Sequence, residues 1–184
     1  MYCSHYETRF GPGSVYATDD GVSRVVIPDM STAERTGQVD IEEDNASELT
    51  IGVAQMLERY FQGEQVNFTG IPVDLGGLTA FRRSVLAAAR NLLYGDVCSY
   101  GRLADECGSP HAARAIGGAL AANPVPVVIP CHRIVAANGC LTGFSALGGV
   151  STKMTLLQME GVAFKGARVV INQMVINRRR NCQK

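Results

Sequence analysis

The run Asn123-Pro124-Val125-Pro126-Val127-Val128-Ile129-Pro130-Cys131-His132-Arg133 sets a cysteine, a histidine and an arginine directly behind an apolar segment framed by prolines. The β-branched residues from Val125 to Ile129, punctuated by Pro, predict a short buried strand. Pro130 removes a backbone donor and biases Ile129 toward an extended conformation. Cys131 is therefore expected at a fixed corner where a core strand ends. A thiol touching an imidazole and a guanidinium has the surroundings that lower a cysteine pKa. The alternative is a buried structural cysteine; the His-Arg neighbours and the proline frame favour a reactive one.

Toward the N-terminus from this corner, the chain reads as helical. Thr79 can cap a helix from Ala80 to about Leu93, with Phe81, Val85, Leu86, Ala89, Leu92 and Leu93 on one face. Ser99 is a good N-cap for a short helix, Tyr100 to Cys107, which Gly108 ends. Ser109-Pro110 then starts a third helix, His111 to Ala122, with Pro at the favoured first position. Two short helices joined by about three residues with a Gly form a helix-turn-helix pattern. Its second helix carries Arg114 in an unusually small-sided stretch, Ala112 to Ala119. Small residues permit close approach to a duplex groove or to a neighbouring helix, and the pattern alone favours tight internal packing. Toward the C-terminus, Asn138-Gly139 marks a turn and Leu141 to Ser145 a Gly-punctuated loop. Ser151 is placed to cap a helix running to about Glu160, closed by Gly161, with Met154, Leu156, Leu157 and Met159 as its apolar positions. An extended stretch, Arg168 to Ile176, and a solvated basic end, Arg178-Arg179-Arg180, follow.

The first third predicts three short antiparallel strands, Tyr6 to Phe10, Ser14 to Thr18 and Val22 to Ile27, separated by Gly11-Pro12-Gly13 and Asp19-Asp20-Gly21. Asp29 to Asn45 is acidic and reads as a loop. Ala46 to Phe61 has helical spacing of Leu49, Val53, Met56, Leu57, Tyr60 and Phe61, with Gly63 as its stop. Val66 to Val73 is a further extended candidate. The composition changes at Asp74-Leu75-Gly76-Gly77. The expected architecture is an α+β N-terminal domain with a small antiparallel sheet over residues 1–77, then a mainly α domain with the helix-turn-helix over 78–184.

With 184 residues, 46% of them hydrophobic and 18% charged, the composition is that of a soluble globular protein with a substantial core. No apolar run approaches the roughly 18 residues of a membrane span, and the N-terminus carries no secretory pattern. Six cysteines without a C-x-x-C pair read as reduced thiols in a cytoplasmic protein. The formal charge of zero divides unevenly: residues 1–81 hold 4 Lys/Arg against 13 Asp/Glu, and residues 82–184 hold 13 against 4. A basic half points to a polyanion, although a solvated basic face would look the same.

Taken in order, these motifs resemble the O6-alkylguanine-DNA alkyltransferases. The likeness runs from about Phe61 to Gly161 and rests on Tyr-Gly-Asp-Val-Cys-Ser-Tyr-Gly-Arg-Leu-Ala (94–104), Ala-Ala-Arg-Ala-Ile-Gly-Gly-Ala-Leu (112–120), Asn-Pro-Val-Pro-Val-Val-Ile-Pro-Cys-His-Arg-Ile-Val (123–135) and Leu-Leu-Gln-Met-Glu-Gly (156–161). The resemblance implies direct reversal of DNA damage, with the alkyl group of O6-alkylguanine, or of O4-alkylthymine, passing irreversibly to Cys131. It makes His132, polarised by Glu160, the base that acts through a water, and Asn123 the residue that orients the active-site turn. It also implies that the target base flips out of double-stranded DNA. Tyr100, Arg114, Ala113 and Ser109 would then meet the DNA, Arg114 filling the gap and Tyr100 pressing the 3′ phosphate. Leu120, Ile134, Phe144 and Ser145 would line the base pocket, and Arg133 would tie the domains together. No cofactor is implied. Cys3 and His5 are too few for a tetrahedral metal site. A monomer without an obligate protein partner is expected, cytoplasmic, or nuclear in a eukaryote.

The pattern departs from the family in the loop Gly143-Phe144-Ser145-Ala146-Leu147-Gly148-Gly149. Phe stands where many members have Tyr, Ala where Gly is common, and the loop is about two residues longer. These changes bear on which alkyl groups fit rather than on the reaction type. Competing readings are a lesion-binding protein similar to the alkyltransferase-like proteins, a fused adaptive-response regulator and a cysteine hydrolase. The acceptor cysteine speaks against the first. The chain length and the lack of four clustered cysteines speak against the second, and the lack of a distal histidine with an oxyanion loop against the third.

Overall fold

Three antiparallel strands open the chain in the order β1 (Tyr2–Thr8), β2 (Gly11–Thr18) and β3 (Gly21–Val26). The computed structural model describes residues 1–31 and 45–170. The expectations for residues 32–44 and for the tail beyond 170, including Arg178-Arg179-Arg180, therefore lie outside the described residues. The first strand starts four residues earlier than its sequence pattern indicates, and Gly11-Pro12-Gly13 belongs to β2 instead of a turn. Pro12 is tolerated there because β3 pairs with β2 only from Ser14 onward, so no ladder bond is lost on that side. Gly21 (φ 141°) lets the backbone come against Pro72, whose carbonyl accepts from Val22 N at 2.9 Å; a Cβ would sit 2.7 Å from that carbonyl.

Helix α1 (Glu48–Phe61) begins at a capping box in which Ser47 and Thr50 exchange hydrogen bonds. Val53, Ala54, Leu57, Tyr60 and Phe61 on its inner face are buried against the sheet, each large side chain worth about 1.5–3 kcal/mol of transfer energy. The 66–73 stretch is no strand. Only Val73 makes an isolated bridge to Val22; Pro72 removes a ladder donor and Gly70 has no side chain to pack on a sheet.

Helix α2 (Ala80–Arg90) is capped by Thr79 and buries Val85, Leu86 and Ala89. It ends before Leu92 and Leu93, and the 36% and 49% exposure of Phe81 and Leu93 removes them from the expected core face. A two-residue strand, β4 (Cys98–Ser99), leads into α3 (Tyr100–Glu106), where Ser99 Oγ accepts from Arg102 N at 3.1 Å. Helix α4 (Ala113–Ala121) completes the helix-turn-helix, packed on α2 and α3. The connection is longer than expected and Pro110 is not its first helical residue. His111 adopts a left-handed φ of 71°, which a right-handed helix excludes, so α4 starts after it.

The segment expected as a strand, Val125 to Ile129, is a tight turn. Ile129 N donates to Val125 O at 2.9 Å, and Val127 sits at φ 71°. Its side chains are nonetheless buried, so the apolar run reports burial correctly but not backbone geometry. A 3₁₀ turn, Cys131–Arg133, follows and runs into β5 (Ile134–Val135), which pairs in parallel with β4. Helix α5 (Gly149–Met159) starts at Gly148 instead of Ser151, and buries Thr152, Lys153, Leu156 and Leu157. A hairpin of β6 (Phe164–Lys165) and β7 (Arg168–Val169) packs on a small second cluster with Val97, Val135 and Leu157. One buried cluster otherwise runs from the sheet through α1 to the helix-turn-helix and Cys131.

Candidate active site

Asn123, at the end of α4, builds the corner that holds the thiol. Its Oδ1 accepts from Val125 N at 3.1 Å, while Nδ2 donates to Ile129 O at 2.9 Å and to Cys131 Sγ at 3.1 Å. One buried amide thus closes the turn on both sides and contacts the sulfur directly. Val127, a β-branched residue in the left-handed region, adds strain of order 1–3 kcal/mol, which persists only because the buried turn is over-determined.

Behind the thiol lies a buried carboxylate. Glu160 Oε1 accepts from His132 Nε2 (2.8 Å), Arg133 Nη2 (2.8 Å) and Tyr60 Oη (2.7 Å); Oε2 accepts from Arg133 Nε (2.8 Å) and Gly95 N (3.2 Å). Burial pushes the Glu160 carboxyl up, but His132 and Arg133 overcome it and hold the group well below the usual carboxylate range. Burial lowers the His132 pKa, against the pull of Glu160, so the imidazole is neutral at pH 7. With Nε2–H donated to the carboxylate, His132 Nδ1 carries the lone pair, and this buried atom has no hydrogen-bond partner in the protein. Arg133 also donates to Leu92 O at 2.7 Å, which ties the corner to the end of α2.

The thiol itself departs from expectation. Burial pushes the Cys131 pKa up, and Asn123, the nearby Lys153 charge and the backbone N–H groups at Cys131 and His132 only partly offset this. Arg133 points at Glu160, so its charge is spent there. The resting group is a neutral thiol.

Cys131, 6% exposed, forms the floor of a cavity of about 810 Å³. Tyr100, Ala113, Arg114, Leu120, Phe144 and Ser145 all line it, as do Gly117 and the segment Ala136–Ala137. One residue expected in the pocket does not line it: Ile134 is fully buried. Ser109, expected at the DNA, sits half-buried in the α3–α4 connection. Ile134 is inside because β5 turns its side chain into the core, where β4 pairs with it.

Two residues of the site are not marked as functional by the sequence. Tyr60 reads as one of the apolar positions of α1, but its hydroxyl reaches Glu160 across 100 positions of sequence, and nothing local signals it. Lys153 is 1% exposed on α5, and its Nζ donates to Ile134 O (2.6 Å), Thr142 O (3.0 Å) and Gly143 O (3.4 Å). Burial lowers its pKa to about 8. Nζ also lies 5.8 Å from the Tyr100 ring centroid, and the Tyr100 hydroxyl donates to Thr142 O at 3.4 Å. Ser151, Thr152 and Thr155 surround Lys153 in α5, so nothing local distinguishes it from a solvent-facing lysine. At the N-terminus, Cys3 Sγ lies 4.0 Å from His5 Nε2, and among the described residues no cluster of three or more metal-ligating side chains forms.

Fold and site define a helix-turn-helix protein of mixed α/β build whose second helix overhangs a pocket floored by a buried thiol. Residues 1–75 match the ribonuclease-like domain and residues 80–162 the DNA-binding domain of 6-O-methylguanine DNA methyltransferase. A methylated-DNA–protein-cysteine methyltransferase of Haemophilus influenzae is 44% identical over 107 residues, 58% of either chain. One from Mycolicibacterium paratuberculosis is 44% identical over 109 residues, 59% of this chain and 64% of its own. The matched region thus spans less than two thirds of these curated relatives. Among solved structures, Mycobacterium tuberculosis OGT in complex with DNA has a TM-score of 0.71 at 29% identity, covering 88% of this chain and 93% of that one. The M. tuberculosis O6-methylguanine methyltransferase has a TM-score of 0.68 at 30% identity, covering 86% and 92%. The chain belongs to the 6-O-methylguanine DNA methyltransferase family.

Proposed function

We propose that this chain repairs DNA by moving the alkyl group of O6-alkylguanine in duplex DNA onto Cys131, once per molecule. The observation that carries this reading is the placement of a buried thiol at the floor of the cavity under α4, backed by a neutral histidine. Attack on an sp3 carbon needs a soft nucleophile, and a thiolate is the strongest that a protein side chain offers. Cys131 Sγ forms the S–C bond as the C–O6 bond breaks, and the electron pair leaves on the guanine, which takes up a proton.

The raised Cys131 pKa means that a base must act within the complex. His132 Nδ1 fills that role through one water, the bridge that an unpartnered buried nitrogen favours. Glu160, ionised and fixed by Arg133, Tyr60 and Gly95, stabilises the imidazolium that forms. The Lys153 charge favours thiolate over thiol. The product is a thioether with no good leaving group, so the protein is consumed.

The target atom lies within the base stack, which requires the nucleotide to rotate out. The cavity offers Leu120 and Phe144 as apolar walls for the purine and Ser145 at the rim. Exposed Arg114, near the start of α4, fills the space left in the duplex, while Ala113 and Gly117 keep the helix surface low enough for close approach. Tyr100, which lines the same cavity, meets the phosphate beside the lesion. Residues 1–77 and 78–184 act as a supporting and a DNA-binding, alkyl-accepting domain, and the chain works as a monomer without a cofactor. Among the described residues no helix is long and apolar enough to cross a membrane.

The test is the mass of the intact protein after incubation with duplex DNA carrying O6-methylguanine. One added methyl group, located on Cys131 and missing in Cys131→Ala, is expected. Retained binding with no added mass would leave a lesion-binding protein in place of a transferase.

A further inference from the structure

We propose that the N-terminal segment Ile27–Ser31 is a strut that sets the substrate loop through Thr152, making Thr152 a positioning residue for the guanine pocket. The inference rests on the alkyl-transfer reading above.

Phe144 and Ser145 line the cavity from a loop, residues 142–149, that has no regular secondary structure before α5 begins at its end. Its position depends on what grips its two ends. Lys153 Nζ holds the carbonyls of Thr142 and Gly143 at one end. At the other end, the Thr152 hydroxyl donates to Leu147 O at 2.7 Å. Thr152 is fully buried, and its oxygen also accepts from Met30 N at 3.3 Å. One hydroxyl therefore links the loop to a segment 122 positions earlier in the chain.

The segment is built to be stiff where it touches the loop. Asp29 Oδ1 accepts from both Ser31 N (2.8 Å) and Ser31 Oγ (2.6 Å), and the Met30 side chain is anchored in the main core. Gly148 lies directly against it at φ 76°. A Cβ there would overlap Thr152 Oγ1 and Asp29 Oδ1 and reach 2.9 Å from Ser31 Cβ. The fit admits only glycine, so the loop backbone packs directly on the Asp29 and Ser31 side chains of the strut.

Elsewhere the loop is poorly supported from behind. Ser145, Ala146 and Leu147 back onto a second cleft of about 460 Å³, whose far walls are β3, Ile27 and the Asn123–Pro126 turn. Without the Thr152 bridge, the loop can recede into that space and draw Phe144 and Ser145 away from the base. The N-terminal part of the chain would in this way act on substrate fit without touching DNA or Cys131.

The experiment compares single-turnover transfer from free O6-benzylguanine and from O6-methylguanine duplex in wild type, Thr152→Val and Thr152→Ser. Iodoacetamide labelling of Cys131 serves as a readout of the thiol itself, because the small reagent reaches the cavity floor without a guanine having to be held by the loop. Loss of one buried hydrogen-bonded bridge should slow transfer from both substrates by roughly fivefold in Thr152→Val. Labelling of Cys131 should be unchanged, and Thr152→Ser, which restores the hydroxyl, should react like wild type. Asp29→Ala, which loosens the strut from its surface side, should slow transfer in the same direction if Thr152→Val does not fold. Wild-type rates in both Thr152→Val and Asp29→Ala would overturn the strut, as would a Thr152→Ser variant as slow as Thr152→Val or a parallel loss of iodoacetamide labelling. A wild-type protein that accepts no alkyl group would instead refute the transferase reading, so the two failures are distinct.

Discussion

Glu160→Gln tests the buried network most sharply, because its cost can be worked from the contacts. The carboxylate accepts five hydrogen bonds, two of them from Arg133. An amide keeps one acceptor oxygen and turns an NH₂ group toward donors that already face it. It also leaves the 5% exposed Arg133 without its counter-charge. Removing one partner of a buried pair costs about 3–5 kcal/mol. Against a typical total stability of about 5–15 kcal/mol that is a large fraction. At about 2–4 °C per kcal/mol for a chain of this size, Tm at pH 7 should fall by roughly 6–20 °C. The acid profile supplies a second readout. The folded Glu160 pKa is depressed, so the unfolded chain binds the proton first as pH falls. The stabilisation is therefore complete above the unfolded value of about 4.3 and is lost progressively below it. Thermal unfolding between pH 3 and 7 should show a shallower acid slope in Glu160→Gln than in wild type. A Tm within about 2 °C of wild type, or identical acid slopes, would refute this account of the network.

Three further outcomes follow from the same geometry. Iodoacetamide labelling of Cys131 without DNA should be slower than that of a free cysteine at pH 7 and should accelerate as pH rises past the ordinary thiol value, because burial holds the proton on; faster labelling at pH 7 would contradict the neutral thiol. Asn123→Ala removes three hydrogen bonds from the active-site turn and should cost roughly 1.5–4.5 kcal/mol in chemical denaturation, together with slower alkyl transfer. Arg114→Ala should weaken repair of duplex DNA far more than reaction with free O6-benzylguanine, and equal losses would remove Arg114 from base flipping.

The sequence is most legible where local chemistry decides. Ser47, Thr79 and Ser99 lie at helix starts because their hydroxyls satisfy backbone N–H groups within three residues, and the starts at Thr79 and Ser99 follow from the sequence alone. The Cys131-His132-Arg133 corner and its tie to Glu160 are readable as a motif. Less legible is whatever tertiary contacts override. Val125 to Ile129 has the composition of a strand, yet Asn123 folds it into a turn with Val127 at φ 71°. Pro110 looks like a helix start, but His111 takes a left-handed conformation first. Tyr60 and Lys153 enter the site only through long-range hydrogen bonds, which no periodicity records. The pKa of Cys131 goes the other way from its neighbours' charges, because Arg133 is engaged by Glu160 and burial dominates.

The most direct test of irreversible transfer to Cys131 is a stoichiometry. Duplex DNA bearing radiolabelled O6-methylguanine, in excess over protein, should transfer label until one methyl group per chain is bound, all of it in the peptide containing Cys131, and then stop. Release of label into solution with continuing turnover, a plateau on another residue, or no transfer at all would contradict the account.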